Sequence, residues 1–368
     1  MSSWKEYHRD GGPVRLLLKG GENTLEQLGN TSSTMFNIAS KEHRFWRRYP
    51  LPLSQRIDAW RNGFLSRGYV LLELDKHDPH NYVSDVQQAR LKPAVNAGYA
   101  DVLENKVAFH LATSSYVDTI PELYGTIESG AFITDEGDDA PLPRLLDRVG
   151  TVIAKPITGT GGTDVFRIES NPGTYRINSR DHTRVDLQER VAGWDDMLVV
   201  EFIDQHEYAE LVWPASVNTI RIVTALDPDE EDLFVTSAVH RFGASGTGPT
   251  DNWSGGGVAA PVNVENGKMS PLFSYTTERG LERYDTHPDS GTQVAGNTIP
   301  QWDDITAAVR DVAQIHRQNP YVGWDVVLTR DGPRIIEGNC APHSHLQQLG
   351  GGLFEDDRVR RFFDEFVT

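Results

Sequence analysis

The feature that most constrains this chain is a strand–turn–strand pattern near its C-terminal end, in the sequence GWDVVLTRDGPRIIEGN. The pattern predicts a β-hairpin that folds back through Asp331 and Gly332, a dipeptide typical of tight turns. Asp325 is six residues before Asp331 and Glu337 is five residues after Gly332, so the hairpin puts the two carboxylates at neighbouring heights. Asn339 is two residues beyond Glu337 and therefore shares its strand face.

These three side chains carry the oxygen ligands that hold magnesium when a nucleotide supplies the remaining ligands. A solvated polar face is the alternative interpretation. However, apolar residues such as Val326, Leu328 and Ile335 fill the same strands, and a buried carboxylate without a cation is costly. The hairpin therefore favours a metal site.

A second candidate site is the glycine-rich loop that follows Lys155. Gly159, Gly161 and Gly162 offer free backbone amides beside a fixed cation, an arrangement that suits a polyphosphate. The loop is not a P-loop, because its lysine precedes the glycines, and it is not a dinucleotide fingerprint, because Asp164 replaces the last glycine. An ordinary glycine hairpin is an equally good interpretation of the loop by itself.

Two arginines lie within apolar strands, Arg221 in NTIRIVT and Arg241 in AVHRFG. An arginine in such a strand needs an anionic partner, which a phosphate, a developing oxyanion or an acidic neighbour can supply. The apolar strand MLVVEFID contains Glu201 near its end, a position at which an adenine could bind between two lobes.

The periodicity of apolar residues predicts three units. Residues 1–50 form a polar tail that leads into a helix at KEHRFWRRY. The next segment predicts a helix with Ile57, Trp60 and Phe64 on one face, followed by YVLLEL as a short buried strand, the alternation of an α/β region. A second unit opens near residue 101, and a third runs from about residue 208 to the end.

The composition excludes several classes of protein. With 35 Lys and Arg against 53 Asp and Glu, the formal net charge is -18, which argues against sequence-independent nucleic-acid binding. Only 8 of the basic residues are lysines, a balance that suits a cytosol with high salt or an ordinary acidic protein. Cys340 is the single cysteine, which excludes an internal disulfide and a thiolate zinc cluster. We expect a cytoplasmic protein without a membrane span.

The order of these residues resembles the ATP-grasp superfamily, which includes D-alanine:D-alanine ligase and the ribosomal-protein glutamate ligases. The segments NTIRIVTAL, DNWSGGGVAAPV and GWDVVLTRDGPRIIEGN are most similar to the sugar-transfer-associated ATP-grasp family, which is related to the α-L-glutamate ligases. The resemblance covers roughly residues 95–350. It implies an α+β fold with nucleotide between two α+β lobes: an N-terminal α/β region over 1–100, a small lobe over 101–205 and a large lobe over 206–368.

The resemblance also implies roles for individual residues, with ATP and Mg²⁺ or Mn²⁺ as cofactors. They are phosphate contacts from Lys106 and Lys155, a flap formed by Gly159, Gly161 and Gly162, an adenine hinge at Glu201, Phe202 and Ile203, a ribose contact from Glu207 or Glu210, metal ligands Asp325, Glu337 and Asn339, and catalytic arginines Arg221 and Arg241.

The activity implied by the resemblance is ATP-dependent carboxylate–amine ligation through an acylphosphate, on a small metabolite or a surface-polymer precursor. A small-molecule kinase and a non-catalytic nucleotide-binding regulator are the alternatives, because fold does not fix function. Two loops flank the predicted metal site, so the candidates to bind substrate are Asn252, Ser254, Gly256, His343 and His345. His343 and His345 could also bind a metal, although two ligands without a third nearby are more often polar loop residues.

Overall fold

The N-terminal part of the protein is helical as far as the structure describes it. The computed structural model describes residues 32–96, 98–135, 141–159, 164–248, 250–340 and 342–367. The α-helices before the first strand are α1 (Ser32–Arg48), α2 (Leu53–Arg61), α3 (Ser66–Leu71), α4 (Asp85–Leu91), α5 (Ala100–Glu104) and α6 (Lys106–Thr113), with a 3-10 turn at Pro79–Asn81 and a π-helical turn at Lys92–Asn96.

The segment YVLLEL is a helix and a turn, so our prediction of a strand there is wrong, and so is the predicted α/β character of this region in its described part. Its Tyr69 and Leu71 lie in α3, and both are buried. A short apolar run fits a buried strand and a buried helix equally well. Here α3 packs on α1 and α2, and the run is paired with no described strand.

The first sheet is antiparallel, and its described strands follow the order β2-β1-β7-β3-β4-β5-β6. Its core is an apolar cluster that includes Ile127, Leu146, Val152 and Leu187. Its elements are β1 (Leu123–Glu128), β2 (Ala131–Thr134), α7 (Leu142–Val149), β3 (Thr151–Pro156), β4 (Phe166–Asn171), β5 (Thr174–Ile177), β6 (Arg180–His182), α8 (Arg184–Val191) and β7 (Met197–Glu201).

The second sheet is also antiparallel, and its described strands follow the order β12-β11-β10-β9-β8-β13-β14. The elements of this lobe are α9 (Glu207–Glu210), β8 (Ile220–Leu226), β9 (Leu233–Phe242), a 3-10 turn at Trp253–Gly255, β10 (Val258–Val262), β11 (Leu272–Thr276), β12 (Gly280–Tyr284), α10 (Trp302–Ile315), β13 (Tyr321–Thr329), β14 (Gly332–Cys340), α11 (Ser344–Gln347), a 3-10 turn at Leu353–Glu355 and α12 (Asp357–Phe366).

The two faces of this second sheet are covered differently. Helix α10 covers one face, where residues such as Val309 and Ile222 form the main core. On the other face, α12 packs with Val223 at one end, and Tyr49 and Leu71 of the N-terminal helices pack with β9 and β10 at the other. The polar residues of the candidate site lie on this second face.

Helices α5 and α6 belong to the core of the second sheet, although we expected them in the small lobe. Leu103 and Phe109 are buried in that core, and the ring of Phe109 lies 6.4 Å from that of Trp324. Lys106, at the start of α6, is therefore carried by the large lobe. Among the described helices, none is both long and apolar enough to cross a lipid bilayer.

Candidate active site

The C-terminal hairpin brings the two predicted carboxylates directly opposite each other. Its turn consists of Arg330 and Asp331, one residue earlier than the predicted turn. From the turn, the strands pair regularly as far as Val326 opposite Ile335, and the next pair is Asp325 opposite Glu337. The extra residue between them is a β-bulge on β14, and this bulge aligns the two carboxylates.

The neighbouring strand adds Arg221, which lies opposite Asp325 on the other side of β13. Both oxygens of Asp325 accept hydrogen bonds from Arg221, through Nε and, at 2.8 Å, through Nη2. Nη2 of Arg241 lies 3.2 Å from Oδ2 of the same carboxylate, and its Nε lies 3.4 Å from Oδ2 of Asp251. Two guanidiniums and two carboxylates therefore form one network across adjacent strands.

This network controls the protonation of Asp325, of which only 2% is exposed. Burial alone would raise the pKa of Asp325, but the charges of Arg221 and Arg241 outweigh burial and hold the pKa well below its ordinary value. Burial lowers the pKa of Arg241, but the charges of the nearby carboxylates raise it by more, so the net shift is upward. The acidic partner that an arginine in an apolar strand requires is thus Asp325 for Arg221, and both Asp251 and Asp325 for Arg241.

Glu337 has the opposite electrostatic environment. Burial and the neighbouring charge of Asp325 raise the pKa of Glu337, and the cation of Lys155 only partly offsets this. Asn339 donates from Nδ2 to Oε1 of Glu337 at 3.2 Å and to the carbonyl of Gly323 at 3.4 Å. The three predicted metal ligands therefore lie together, and two of them are adjacent carboxyl groups, one buried and one half-buried.

The two predicted phosphate lysines approach the hairpin from opposite lobes. Nζ of Lys155, on β3, donates to the carbonyl of Ile336 at 3.4 Å. Ile336 is the bulge residue of β14, between Ile335 and Glu337. Nζ of Lys106 donates to the carbonyl of Gly159 at 2.9 Å. Burial and the charge of Lys106 lower the pKa of Lys155, while Glu337 and Asp325 oppose that effect. The two ammonium groups thus face the carboxylate pair.

Gly159 has a φ of 118°, a backbone conformation that favours glycine. The other two predicted loop glycines, Gly161 and Gly162, lie outside the described residues.

The predicted adenine hinge is the connection between the two sheets. Glu201 ends β7, and its Oε2 accepts a hydrogen bond from the backbone N–H of Glu122 at 3.1 Å. The guanidinium of Arg167 lies 4.2 Å from the ring centre of Phe202, and Ile203 is buried. Glu207 and Glu210 are both exposed on α9. The adenine and ribose roles of these residues stay predictions.

Of the predicted substrate residues, three follow Asp251 in one loop. Asn252 caps the 3-10 turn by accepting a hydrogen bond from the backbone N–H of Ser254 at 3.0 Å, and Gly256 ends the turn with a φ of 106°. The carbonyl of Ser254 accepts a hydrogen bond from Arg48 at 3.3 Å. Since Asp251 binds Arg241, the loop begins at the charged network.

The fourth predicted substrate residue, His343, is exposed at the start of α11. His345 is buried, and its Nε2 lies 3.2 Å from Oδ1 of Asp85. Within the described residues, no group of three His, Cys, Asp or Glu side chains has the arrangement of a metal site. The two histidines therefore stay candidates for binding substrate.

Sequence reasoning missed Asp251 and Thr219. Oδ2 of Asp251 accepts hydrogen bonds from the backbone N–H of Thr219 at 2.9 Å and from its hydroxyl. Oγ1 of Thr219 in turn accepts a hydrogen bond from Nε of Arg241 at 3.0 Å. The sequence feature that could have indicated Asp251 is its position directly before Asn252 in TDNWSGGG.

Comparison with known protein families identifies the group to which this arrangement belongs. A family model described as sugar-transfer associated ATP-grasp matches residues 86–361, three quarters of the chain. The chain belongs to the sugar-transfer associated ATP-grasp family. A search of the curated proteins gives no match.

Solved structures similar to this ATP-grasp chain are distant in sequence. They include the ADP complex of PurK, N5-carboxyaminoimidazole ribonucleotide synthetase (10% identity, 76% of this chain and 54% of that one, TM-score 0.41). They also include VanG D-Ala:D-Ser ligase from Enterococcus faecalis (12% identity, 77% and 64%, TM-score 0.39). A RimK domain protein from Sphaerobacter thermophilus has 13% identity, with 77% and 70% covered and a TM-score of 0.36.

The matched range of the sugar-transfer associated ATP-grasp family contains the whole charged network. It begins within α4, before Lys106, and ends within α12, after the hairpin. Helices α1 to α3, which pack on the sheet beside the site, precede the match. The α+β fold predicted from the sequence is confirmed, with two antiparallel sheets as its lobes.

Proposed function

We propose that this ATP-grasp protein is an ATP-dependent carboxylate–amine ligase that forms an amide through an acylphosphate. One observation carries the proposal: Asp325 and Glu337, directly opposite each other in the hairpin, face Lys155 of the other sheet, whose Nζ donates to the carbonyl of the bulge residue Ile336. A polyphosphate with a divalent cation is the ligand that satisfies both groups of charges.

The residues of the hairpin fit a divalent cation. Two adjacent carboxylates repel each other, as the raised pKa of Glu337 indicates, and a cation between them would remove that repulsion. Asp325, Glu337 and Asn339 would hold Mg²⁺ or Mn²⁺, with phosphate oxygens as further ligands. When bound, the cation would withdraw charge from the phosphates of ATP.

The remaining nucleotide contacts follow from the two lobes. Lys106 and Lys155 would bind phosphate oxygens, and the loop from Gly159 through Gly161 and Gly162 would cover them and exclude water, which protects an acylphosphate from hydrolysis. The adenine would lie at Glu201, Phe202 and Ile203, and Glu207 would bind the ribose. This assignment rests on the order of these residues along a chain of the ATP-grasp family.

The proposed reaction has two steps. An oxygen of the substrate carboxylate attacks the γ-phosphorus, and ADP leaves. The amine nitrogen then attacks the acyl carbon, inorganic phosphate leaves, and the nitrogen loses a proton. Arg241 and Arg221 border the hairpin, so they are the groups available to stabilise the oxyanion on the acyl carbon.

The substrates would be a small carboxylic acid and an amine, drawn from a metabolite or a surface-polymer precursor. Asn252, Ser254, Gly256 and His343 would contact them, since both of their loops begin at the charged network. A chain with a single free cysteine suits the cytoplasm, where ATP is available.

The proposal is tested by trapping with hydroxylamine during a screen of amino acids and uronic acids. A ligase that is given its acid produces a hydroxamate together with ADP. ADP formation with a stable phosphoester and no hydroxamate would identify a kinase instead. Nucleotide binding without ADP formation for any acid would favour a regulatory protein, and either of these outcomes would overturn the proposal.

A further inference from the structure

The segment that follows β14 turns back over the face of the sheet that carries Arg221. A Cβ atom at Gly323 would lie 2.7 Å from Cβ of Pro342 and 3.0 Å from Cδ of Arg221, so the proline ring and the arginine flank this glycine. Farther along, Oε1 of Gln347 accepts a hydrogen bond at 3.0 Å from the hydroxyl of Ser237 on β9. Helix α11 therefore lies over β8 and β9 beside the charged network.

Helix α11 carries buried polar atoms that have no hydrogen-bond partner in the described part of the chain. They are Oγ of Ser344, both ring nitrogens of His345 and Nε2 of Gln347. Ser344 is 1% exposed and His345 is 4% exposed. A buried polar atom without a partner destabilises the fold, and four such atoms on one short helix indicate a ligand that satisfies them.

Helix α3 supplies the opposite wall. A Cβ atom at Gly68 would lie 2.8 Å from Oδ2 of Asp85 and 2.9 Å from Nε2 of His345, so α3 and α11 approach closely at this glycine. The adjacent Arg67 has a buried Nε that also lacks a partner among the described residues. The contact between Nε2 of His345 and Asp85 is at ion-pair distance but lacks the geometry of a hydrogen bond.

Both signs of charge lie near these atoms, and the unpartnered atoms themselves are mostly hydrogen-bond donors. Burial lowers the pKa of His343, the charges of Arg67, His345 and Lys41 lower it further, and the charge of Asp85 raises it. Nε of Arg67 and Nε2 of Gln347 can only donate, and the hydroxyl of Ser344 can also donate. This set of donors suits an oxyanion and disfavours an ammonium group, which is itself a donor.

We propose that Arg67, Ser344, His345 and Gln347, here named the anion cluster, bind a carboxylate or phosphate group. Its identity as a group of the ligase's substrate rests on the proposed function, but anion binding does not. The cluster lies next to Arg221, so a substrate anchored there can extend toward the hairpin. Arg67 precedes the range matched by the family model, so the N-terminal helices would take part in choosing the substrate.

The test uses the ring signals of His343 and His345 in the full-length protein, labelled at histidine and assigned with the H343Q and H345Q variants. Acetate and inorganic phosphate are titrated separately, so that the two sources of an oxyanion are distinguished. We expect a saturable shift of these signals with at least one anion. The apparent Kd is expected to rise about tenfold or more in Arg67→Gln, which loses a charge-assisted contact.

Two further variants show whether a loss of anion binding is specific to Arg67. Arg310→Gln removes an exposed arginine from α10, which packs on the opposite face of the sheet, and should titrate like the wild type. Ser344→Ala removes one donor without a change of charge and should weaken binding less than Arg67→Gln. The absence of a saturable shift in the wild type, or equal affinities in wild type and Arg67→Gln, would overturn the anion cluster.

Calorimetry with Mg·ADP separates the two proposals. We expect wild type and Arg67→Gln to bind Mg·ADP equally, because Arg67 lies outside the proposed nucleotide site. Anion binding without Mg·ADP binding would overturn the proposed function and leave the anion cluster standing. Mg·ADP binding without anion binding would overturn the anion cluster and leave the proposed function standing.

Discussion

The two ends of the candidate site differ in how their charges are balanced. At the hairpin end, Asp325 is paired with Arg221 and Arg241, and these bonds form within the sheet itself. At the anion cluster, Ser344 and His345 are as deeply buried, yet the hydroxyl of Ser344 and the ring nitrogens of His345 have no hydrogen-bond partner among the described residues.

The ion pairs of the hairpin end form when the chain folds, whereas the polar contacts of the anion cluster would form only when a ligand binds. The arginine–aspartate network is satisfied without a ligand, so it should contribute to stability as well as to function. Glu337 and the anion cluster would gain further favourable contacts when an ion or substrate binds. Mutations at the two kinds of position should therefore differ in their effects on folding and on activity.

The largest expected effect breaks the satisfied network. Asp325→Asn removes the charge that neutralises two buried guanidiniums, and loss of one partner of a buried ion pair costs about 3–5 kcal/mol. We expect the Tm to fall by on the order of 10 °C, together with loss of activity. Thermal unfolding followed by circular dichroism measures the change, and an unchanged Tm would show that the network does not stabilise the fold.

Glu337→Gln should reduce ADP formation by about 100-fold or more while it preserves the fold, because it removes a metal ligand that also repels Asp325. The Tm without nucleotide should stay the same or rise. A coupled ADP assay and the same thermal unfolding experiment provide the two readouts. Wild-type turnover in this variant would remove Glu337 from the metal site.

Lys155→Met sharpens the comparison within the hairpin end, since this lysine joins the two lobes. We expect the KM for ATP to rise roughly 10–100-fold, which corresponds to one lost charge-assisted contact. Lys268→Met is the matched control, because Lys268 is exposed and far along the chain from either predicted phosphate lysine. Equal KM values in the two variants would contradict a phosphate contact from Lys155.

The smallest effect is expected at Asp85, beside the anion cluster. Burial would raise the pKa of Asp85, but His345, the backbone N–H of Leu65 and Arg67 together hold it below its ordinary value of 3.8. A depressed carboxyl pKa stabilises the fold above pH 3.8, and this stabilisation is lost as the pH falls through the lowered pKa.

Asp85→Asn should therefore lose less stability than the wild type when the pH is lowered from 7 to 3. Urea unfolding at the two pH values gives the comparison. An equal loss in both proteins would mean that Asp85 is not held in its charged form by its surroundings.

The sequence predicts the hairpin site well because its information is local. The spacing around Asp331 and Gly332 is enough to put Asp325 near Glu337. The bulge at Ile336 brings them directly opposite, and the carbonyl of this residue accepts a hydrogen bond from Lys155 of the other sheet. The local sequence predicts neither feature.

Other features depend on tertiary pairing and could not be predicted. Arg221 meets Asp325 because β8 pairs with β13, a strand almost a hundred residues later in the chain. The run YVLLEL is helical because it packs between other N-terminal helices and one face of the second sheet and does not join that sheet as a strand. The anion cluster brings α3 and α11 together from opposite ends of the sequence, so periodicity within either segment could not reveal it.

The central claim is that a divalent cation at the hairpin binds the phosphates of a nucleotide held between the two lobes. Its most direct test is electron paramagnetic resonance of Mn²⁺ with a non-hydrolysable ATP analogue, in wild type and Glu337→Gln. We predict bound Mn²⁺ with hyperfine coupling to ³¹P in the wild type and its loss in the variant. Equal binding of Mn²⁺ in both proteins, or bound Mn²⁺ without coupling to phosphorus, would contradict the account.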